Sequence, residues 1–542
     1  AGETEYTFRH LLVRDVAYGQ IPRAARVAKH RAAAAWIESL ARPEDHAETL
    51  AHHYSQALAL ARATGEDTDE LVAETRVALR NAGDRAYSLG SVGAARDFYR
   101  SAWELWPASS LEWAQLIVRY RRPTLFAELE RKDLVRARDV LLAQGDLEVA
   151  AEAELYLGWD AWNEGRGEDT SFHHSQVLAL ADQLPPSHTK AYLLGNLAIQ
   201  LMLNAELDRA LETAGQSLEI AEQLGLDDIR AHALNTIGVS RAGGRDRGGL
   251  AQLEQSLTLS LELNHAENII RGYKNLGSIL FDFGELERVA ELTAQAEAAA
   301  ARFGDTFNLR WFEVEQAVLR YLEGRWDEAL QTAEAFLAEV EGGSPHYMEA
   351  PCRDIRALML LARGDVSAAL ADTDKAVEFG HSSGEPQVLL PALAGYTCAL
   401  VAAGRVDEAG EVADELLAAV RAEVPTSWAS DVAVALRELG RGPELVARFA
   451  ELENPTPWEA GATAVASGDF SRAIDIYAAV GARPHEAEAR LLAGKLAADG
   501  DADAREQIER ALAFYRSVRA VPYIREAEQL LEVRAEAGRS SA

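Results

Sequence analysis

The sequence has only two cysteines, Cys352 and Cys398, among 542 residues. Two cysteines are too few for a disulfide framework or a four-cysteine zinc site. We interpret them as small buried hydrophobic residues rather than a redox pair, a usage typical of a reducing cytoplasm. No run of 18 or more apolar residues occurs, so the sequence predicts no membrane span.

Basic residues are also scarce. The chain has 54 Lys and Arg against 86 Asp and Glu, a net charge of −32, and only six of the 54 are lysines. A chain this acidic repels nucleic acid backbones and anionic membranes. We therefore expect no nucleic acid partner and no membrane partner through this chain. The preference for Arg over Lys, in an alanine-rich chain, is typical of a high-GC bacterium.

The motifs of common catalytic sites are missing. No phosphate-binding Gly-x-x-x-x-Gly-Lys-Ser/Thr loop is present, and the Gly-Lys of "AGKLAADG" (493–500) is followed by Leu496 instead of a hydroxyl residue. No Gly-x-Ser-x-Gly elbow occurs. His485-Glu486 begins like a zinc-protease helix, but Ala489 stands where the second histidine is needed. The sequence predicts no catalytic residue, no metal site and no cofactor, so we expect this chain not to be an enzyme.

What the chain does contain is an internal repeat. Hydrophobic residues make up 48 % of the sequence, too much material for one compact core. A motif of Gly, an apolar residue and then a small apolar residue recurs at 40-residue intervals, at Gly284, Gly324, Gly364 and Gly404. Apolar residues between these glycines follow helical spacing, and each Gly suits the left-handed turn that ends a helix. The pattern predicts an all-α fold, a right-handed helical solenoid of antiparallel helix pairs with a period of about 32–40 residues.

Two of these segments resemble a known repeat. "EGRWDEALQTAEAFL" (323–337) and "SGDFSRAIDIYAAV" (467–480) are similar to the second-helix entry of the tetratricopeptide repeat. The resemblance runs from about residue 70 to 537. It departs from the family in its longer period and in a weak Trp-Leu-Gly signature of the first helix.

The start of the chain resembles something else. "YTFRHLLVRDVAY" (6–18), "IPRAARVAKHRAAAAWIESL" (21–40) and "ETLAHHYSQAL" (48–58) are similar to the junction between a winged-helix module and a tetratricopeptide tail. That junction occurs in bacterial STAND/AAA-type signalling ATPases, including adenylate/guanylate-cyclase-like and LuxR-type regulators, and the composition looks actinobacterial. The resemblance implies a module end and junction helices over 1–62, a repeat superhelix over 63–537 and a disordered tail over 538–542.

The same resemblance implies a function. The chain would be the sensor or protein-interaction arm of a larger cytoplasmic regulator, with ATP bound only by a module upstream of Ala1, where the sequence starts without Met as if cut from a longer protein. Its partner would be a protein, a peptide or a small-molecule inducer. A passive assembly scaffold without a switch is the alternative. Four side chains would bond the module junction, unless they are plain helix surface: His10, Arg14, Asp15 and Tyr18.

One constellation in the repeats could recognise a ligand. Asparagines recur at intervals of 39 and 40 residues at a first-helix position, and a glutamate takes that position one repeat later. In the tetratricopeptide pattern this position faces the concave groove, where an amide can hold a peptide backbone. The alternative is that the asparagines bridge neighbouring helices. We call the predicted set the first-helix row: Tyr192, Asn196, Asn235, Arg271, Lys274, Asn275, Trp311 and Glu315.

Overall fold

The computed structural model describes residues 11–89, 91–122, 129–164, 166–204, 206–420, 426–497 and 502–540, with backbone only at 11, 14, 92, 163, 502 and 535–540. These ranges contain α-helices and one short 3-10 helix, and no β-strand. The predicted all-α fold of antiparallel helix pairs of the tetratricopeptide type is confirmed. Within the same ranges, no helix combines the length and the apolar character that a membrane span needs.

The chain divides into two compact units, Ala1–Pro185 and Pro186–Ala542. The described ranges of the first unit contain a 3-10 helix at Pro43–His46 and nine α-helices. They are α1 (Leu11–Gln20), α2 (Arg23–Glu38), α3 (Ala47–Thr64), α4 (Asp69–Ser88), α5 (Val92–Trp103), α6 (Leu111–Tyr120), α7 (Arg131–Gln144), α8 (Leu147–Asn163) and α9 (Gly167–Ala181). The core between α2 and α6 is rich in fully buried alanines, which let the helix axes approach closely.

The second unit contains nineteen helices in its described ranges. They are α10 (His188–Leu203), α11 (Leu207–Leu224), α12 (Asp227–Gly243), α13 (Gly249–Leu263), α14 (Ala266–Asp282), α15 (Leu286–Phe303), α16 (Thr306–Leu322), α17 (Trp326–Glu341), α18 (Glu349–Arg363), α19 (Val366–Ser383), α20 (Pro386–Ala402), α21 (Val406–Ala419), α22 (Ala429–Glu438), α23 (Gly442–Ala450), α24 (Pro457–Ser467), α25 (Phe470–Val480), α26 (Arg483–Leu496), α27 (Ala502–Val518) and α28 (Val521–Ser540). The domain boundaries 1–62, 63–537 and 538–542 stay predictions, although α28 continues through Ser540.

The helices of the second unit pair as the repeat predicts. Even-numbered helices are the first members of their pairs, and several of them, such as α10 with α12 and α18 with α20, also contact each other along the stack. The four motif glycines adopt left-handed backbone angles, with φ between 72° and 93°, so the predicted turns are confirmed. Proline also begins helices, since Pro386, Pro457 and Pro484 lie in the first turns of α20, α24 and α26.

The C-terminal helices of this unit pack against its middle turns, a feature that the repeat pattern does not predict. We call the contacts of α24, α26 and α27 with the turns at Gly284 and Gly324 the return contact. A Cβ atom at Gly284 would lie 3.1 Å from Pro457 Cγ, and one at Gly324 would lie 2.9 Å from Phe514 Cε2. The glycines are therefore needed for this close approach as well as for their backbone angles. Arg483 Nη1 strengthens the contact by donating to the Glu323 carbonyl at 2.9 Å.

Candidate functional site

The first-helix row lies on the first helices of four successive pairs, α10, α12, α14 and α16. The asparagines interact mainly within this layer. Asn196 Nδ2 donates to the carbonyl of Tyr192 at 2.9 Å, and Asn275 Nδ2 donates to Asn235 Oδ1 at 2.5 Å. Asn235 is only 2 % exposed. The bond of Asn196 stays within α10, whereas the bond between Asn275 and Asn235 bridges α14 and α12, which is the alternative to a peptide-binding groove.

Arg271 also bridges helices. Its Nη1 lies 2.8 Å from His232 Nδ1, and its Nη2 donates to Thr236 Oγ1 at 2.6 Å. Desolvation lowers the pKa of the Arg271 guanidinium to about 10. Desolvation, and then the charge of Arg271, holds the pKa of His232 well below its usual value, so the imidazole is neutral and accepts from the arginine.

The other members form a short aromatic and charged stack. Lys274 Nζ lies 3.6 Å from the centre of the Trp311 ring, and the indole Nε1 of Trp311 donates to Glu315 Oε1 at 2.7 Å. Burial raises the pKa of Glu315 to about 7 and lowers that of Lys274 to about 8. Trp311 also stacks on Tyr347 at 5.2 Å between ring centres. Sequence reasoning missed Tyr347, although it lies 40 residues before its hydrogen-bonding partner Gln387 and so keeps the repeat spacing.

We expect Arg271→Ala to lower the free energy of unfolding by about 1–3 kcal/mol, because His232 and Thr236 lose a buried donor. Arg209→Ala is the matched control, since Arg209 pairs with Glu206 on the exposed face of α11. Urea unfolding of both variants measures the difference. An Arg271→Ala protein as stable as the control would indicate that Arg271 is available to a ligand, as the recognition hypothesis requires.

The predicted junction residues lie at the start of the first unit. His10 and the side chain of Arg14 fall outside the described residues, and Asp15 is exposed on α1. Tyr18 Oη lies 2.8 Å from His30 Nε2, and His30 Nδ1 lies 2.9 Å from His53 Nδ1. Tyr18 thus connects α1 to α2 and α3, while its role in a module junction stays a prediction.

A second candidate site is a cavity of about 460 Å³ in the second unit. Its walls come from α16 to α20, α22 and α26 to α28, so first helices of several pairs surround it. Four carboxylates line it: Asp431, Glu438, Glu488 and Glu526. Its volume lies within the usual range of small-molecule sites.

Two buried polar groups of the cavity wall have no hydrogen-bond partner among the described residues. The Tyr515 hydroxyl is one of them, on a side chain only 3 % exposed, and Nδ1 of His485, at 6 %, is the other. The second nitrogen of His485, Nε2, lies 2.8 Å from Asp431 Oδ1. Buried polar groups normally have a partner, so an open pair of them in a cavity wall indicates a place for a ligand or water.

The carboxyl of Glu488 is placed differently from the other acids of the cavity. Desolvation raises its pKa to about 7, and Asp431 and Glu438 add to the rise while His485 opposes it. Glu526, by contrast, is held by Lys495 Nζ at 2.6 Å. Sequence reasoning missed all these residues as a site, although the aromatic and acidic segment 511–531 supplies Tyr515 and Glu526. No group of three or more His, Cys, Asp or Glu side chains in the described part of the chain is arranged to hold a metal ion.

Neither a protein-family model nor a curated protein matches this sequence. Among solved structures, the chain is similar to a signal transduction ATPase with numerous domains (STAND) with a tetratricopeptide repeat sensor from Pyrococcus horikoshii, with 14 % identity over 68 % of this chain and a TM-score of 0.39. The chain spans 52 % of that protein.

Two further structures are similar over more of their own length. A Rap protein complexed with competence and sporulation factor shares 11 % identity over 84 % of this chain and 98 % of its own, with a TM-score of 0.37. Yeast Tom70 shares 14 % identity over 88 % of this chain and 99 % of its own, with a TM-score of 0.36.

Proposed function

We propose that this chain is the sensor arm of a larger signalling regulator, and that it binds a small inducer or a side chain of a peptide in the cavity between α16 and α28. The observation that carries the proposal is the cavity wall, with the Tyr515 hydroxyl and His485 Nδ1 lacking partners beside the carboxyl of Glu488. If these side chains had only a packing role, we would expect apolar residues in their place, because unsatisfied buried polar groups cost free energy.

The cavity also favours a sensor over a passive scaffold. Its walls combine helices that are far apart in sequence, from Tyr321 on α16 to Glu526 on α28. A ligand that contacts both ends would therefore stabilise the return contact relative to an opened arrangement of the same helices. Preferential binding to one arrangement is what a switch requires. The attached ATPase or cyclase-like module, and a cytoplasmic location, rest on the sequence resemblance of residues 6–58.

The test is a thermal-shift screen of metabolites and short peptides on the 542-residue chain, with a variant that blocks the cavity. Ala402 lines the cavity yet is exposed, so Ala402→Phe should fill the space without disturbing the core. Ala403→Phe places the same ring on the neighbouring exposed residue, outside the cavity wall.

We expect compounds that raise the melting temperature of the wild type and of Ala403→Phe, and that lose this effect in Ala402→Phe. A protein partner that binds all three proteins equally, with no cavity-dependent compound, would support the scaffold instead.

A further inference from the structure

We propose that the cavity binds an organic cation, an ammonium or guanidinium group carried on an apolar body; this inference rests on the proposed function and specifies its ligand. The cavity wall provides negative charges, aromatic rings and open hydrogen-bonding positions. Each of the three points to the same chemistry.

The charge of the cavity wall favours a cation. Four carboxylates line the cavity, and no Lys or Arg is among its lining residues within the described ranges. Two of the four have a basic partner, since Asp431 faces His485 and Glu526 faces Lys495. Glu488 has no hydrogen bond or ion pair with any described residue. A ligand that brings a positive charge would compensate this half-buried carboxyl, whereas an anion would add to the repulsion.

The aromatic rings of the cavity wall favour the same class of ligand. Tyr515 and Tyr523 stack at 4.6 Å between ring centres, and Tyr321 and Trp326 stack at 5.5 Å. All four rings line the cavity. Aromatic faces attract ammonium and guanidinium groups and also bury the apolar part of a ligand. The combination of rings and carboxylates is therefore suited to a cation with a hydrophobic body.

The open hydrogen-bonding positions of the cavity wall also favour a cation. When the imidazole of His485 is neutral and donates from Nε2 to Asp431, Nδ1 carries a lone pair and can only accept. The Tyr515 hydroxyl can accept as well. An ammonium or guanidinium group supplies several N–H donors and no acceptor, so it can satisfy both positions and Glu488 together.

A metal ion does not fit these observations as well. The described residues contain no set of three or more ligating side chains that could converge on one ion. The cavity volume of about 460 Å³ lies within the range of roughly 300–1,000 Å³ that is usual for small-molecule sites. An organic molecule fills such a space, and a single metal ion does not.

The test uses three ligands that differ almost only in charge: tyramine, the neutral alcohol tyrosol and the anion 4-hydroxyphenylacetate. Agmatine adds a free guanidinium, and acetyl-Gly-Arg-Gly-amide presents the same group on a peptide, so that these two arms distinguish a free amine from a peptide side chain. Binding is measured by isothermal titration calorimetry at pH 8 to the wild type, to Glu488→Gln and to Glu528→Gln. Glu528 lies on α28 in an exposed pair with Arg516 and does not line the cavity.

We expect at least one of the three cations to bind, with affinity at least tenfold lower for Glu488→Gln and unchanged for Glu528→Gln. Tyrosol and 4-hydroxyphenylacetate should not bind. The failure of all three cations to bind the wild type, or their equal binding to Glu488→Gln, would overturn the inference.

A second readout is pH. Because the pKa of Glu488 is raised to about 7, the ionised form that attracts a cation becomes populated as pH rises from 6 to 8. Cation affinity should rise more steeply over that range in the wild type than in Glu488→Gln. The acids and bases that face Glu488 are Asp431 and Glu438 of α22, His485 of α26 and Glu526 of α28. Burial moves the pKa values of Tyr321, Tyr515, Tyr523 and Cys398 further above neutrality, so these groups do not titrate between pH 6 and 8.

The result also separates this inference from the proposed function. A neutral or anionic compound whose binding is lost in Ala402→Phe would refute the organic cation and leave the sensor cavity in place. The absence of any compound that depends on Ala402 would remove both.

Discussion

Arg245→Met is expected to lower the free energy of unfolding by about 3–5 kcal/mol, because it leaves a buried carboxylate without its cation. Glu459 is completely buried, and both of its oxygens lie 2.6 Å from the Arg245 guanidinium in a bidentate pair. The two residues are 214 positions apart in sequence. Their ion pair connects the turn after α12 to the start of α24. Loss of this ion pair should therefore destabilise the return contact.

The loss of stability in Arg245→Met should depend on pH. Burial raises the pKa of Asp282 to about 7, the charge of Glu459 adds to the rise, and Arg245 opposes it. Without Arg245, Asp282 takes up a proton still more readily in the folded state than in the unfolded state. Stability from such groups is present at low pH and is lost as pH rises through the folded pKa. Arg245→Met should therefore be more destabilised at pH 8 than at pH 6.

The measurement is urea unfolding followed by circular dichroism, with hydrogen exchange of α12 and α24 as the local readout. Arg405→Met is the matched control, because Arg405 forms an exposed pair with Glu408 and such pairs contribute about 0–1 kcal/mol. Adding Glu459→Gln to Arg245→Met should recover part of the loss, since the buried charge is then gone. Equal stability of Arg245→Met and Arg405→Met would contradict the argument.

The backbone of Arg245 supports the importance of this pair. Its φ is +64°, in the left-handed region that costs a non-glycine residue about 1–2 kcal/mol. Gly284, Gly324 and Gly364 occupy the matching position two residues or fewer after their helices end. Glycine would be the unstrained choice at 245, and the bidentate pair with Glu459 offsets the cost of the arginine backbone.

Local features of the fold could be predicted from the sequence. The 40-residue recurrence of Gly284, Gly324 and Gly364 predicted the helix pairs, because each glycine both ends a helix and permits the turn. The same spacing correctly assigned Asn196, Asn235 and Asn275 to first helices. Whether such a side chain faces a groove or a neighbouring helix depends on where adjacent helices lie, and a periodic pattern does not contain that information.

The cavity and the return contact could not be predicted for a related reason. Contacts within a repeat array are mostly between neighbours, so a repeat pattern describes only those. The cavity combines Tyr321 with His485 and Tyr515, which are more than 150 residues away in sequence. Arg245 stands where the repeat has glycine, and this local exception coincides with a distant contact, the pair with Glu459.

Trp458→Ala is expected to destabilise the second unit by about 3–5 kcal/mol, the usual cost of truncating a buried aromatic side chain. Trp458 is 2 % exposed and is among the largest fully buried side chains. Its ring stacks on Phe281 at 5.3 Å between centres, and its Nε1 donates to the Phe281 carbonyl at 2.8 Å. The indole therefore joins α24 to the end of α14, next to the Arg245 and Glu459 pair.

Trp458→Phe separates packing from hydrogen bonding. Phenylalanine keeps an aromatic ring against Phe281 but loses the N–H donor, so its cost should include about 0.5–1.5 kcal/mol for that bond and stay below the cost of alanine. Trp36→Ala is the control, because Trp36 on α2 is 51 % exposed. The variants are compared by urea unfolding and by hydrogen exchange of α14 and α24.

The same variants test whether the return contact is needed for ligand binding in the cavity. The Trp458 ring meets the edge of the His485 ring at 6.0 Å between centres, and His485 is part of the cavity wall. Loss of the indole should let α24 and α26 shift, so Trp458→Ala should also weaken any cavity-dependent ligand, while Trp36→Ala should not. A Trp458→Ala protein that unfolds like Trp36→Ala and binds ligand like the wild type would show that the return contact does not hold the cavity together.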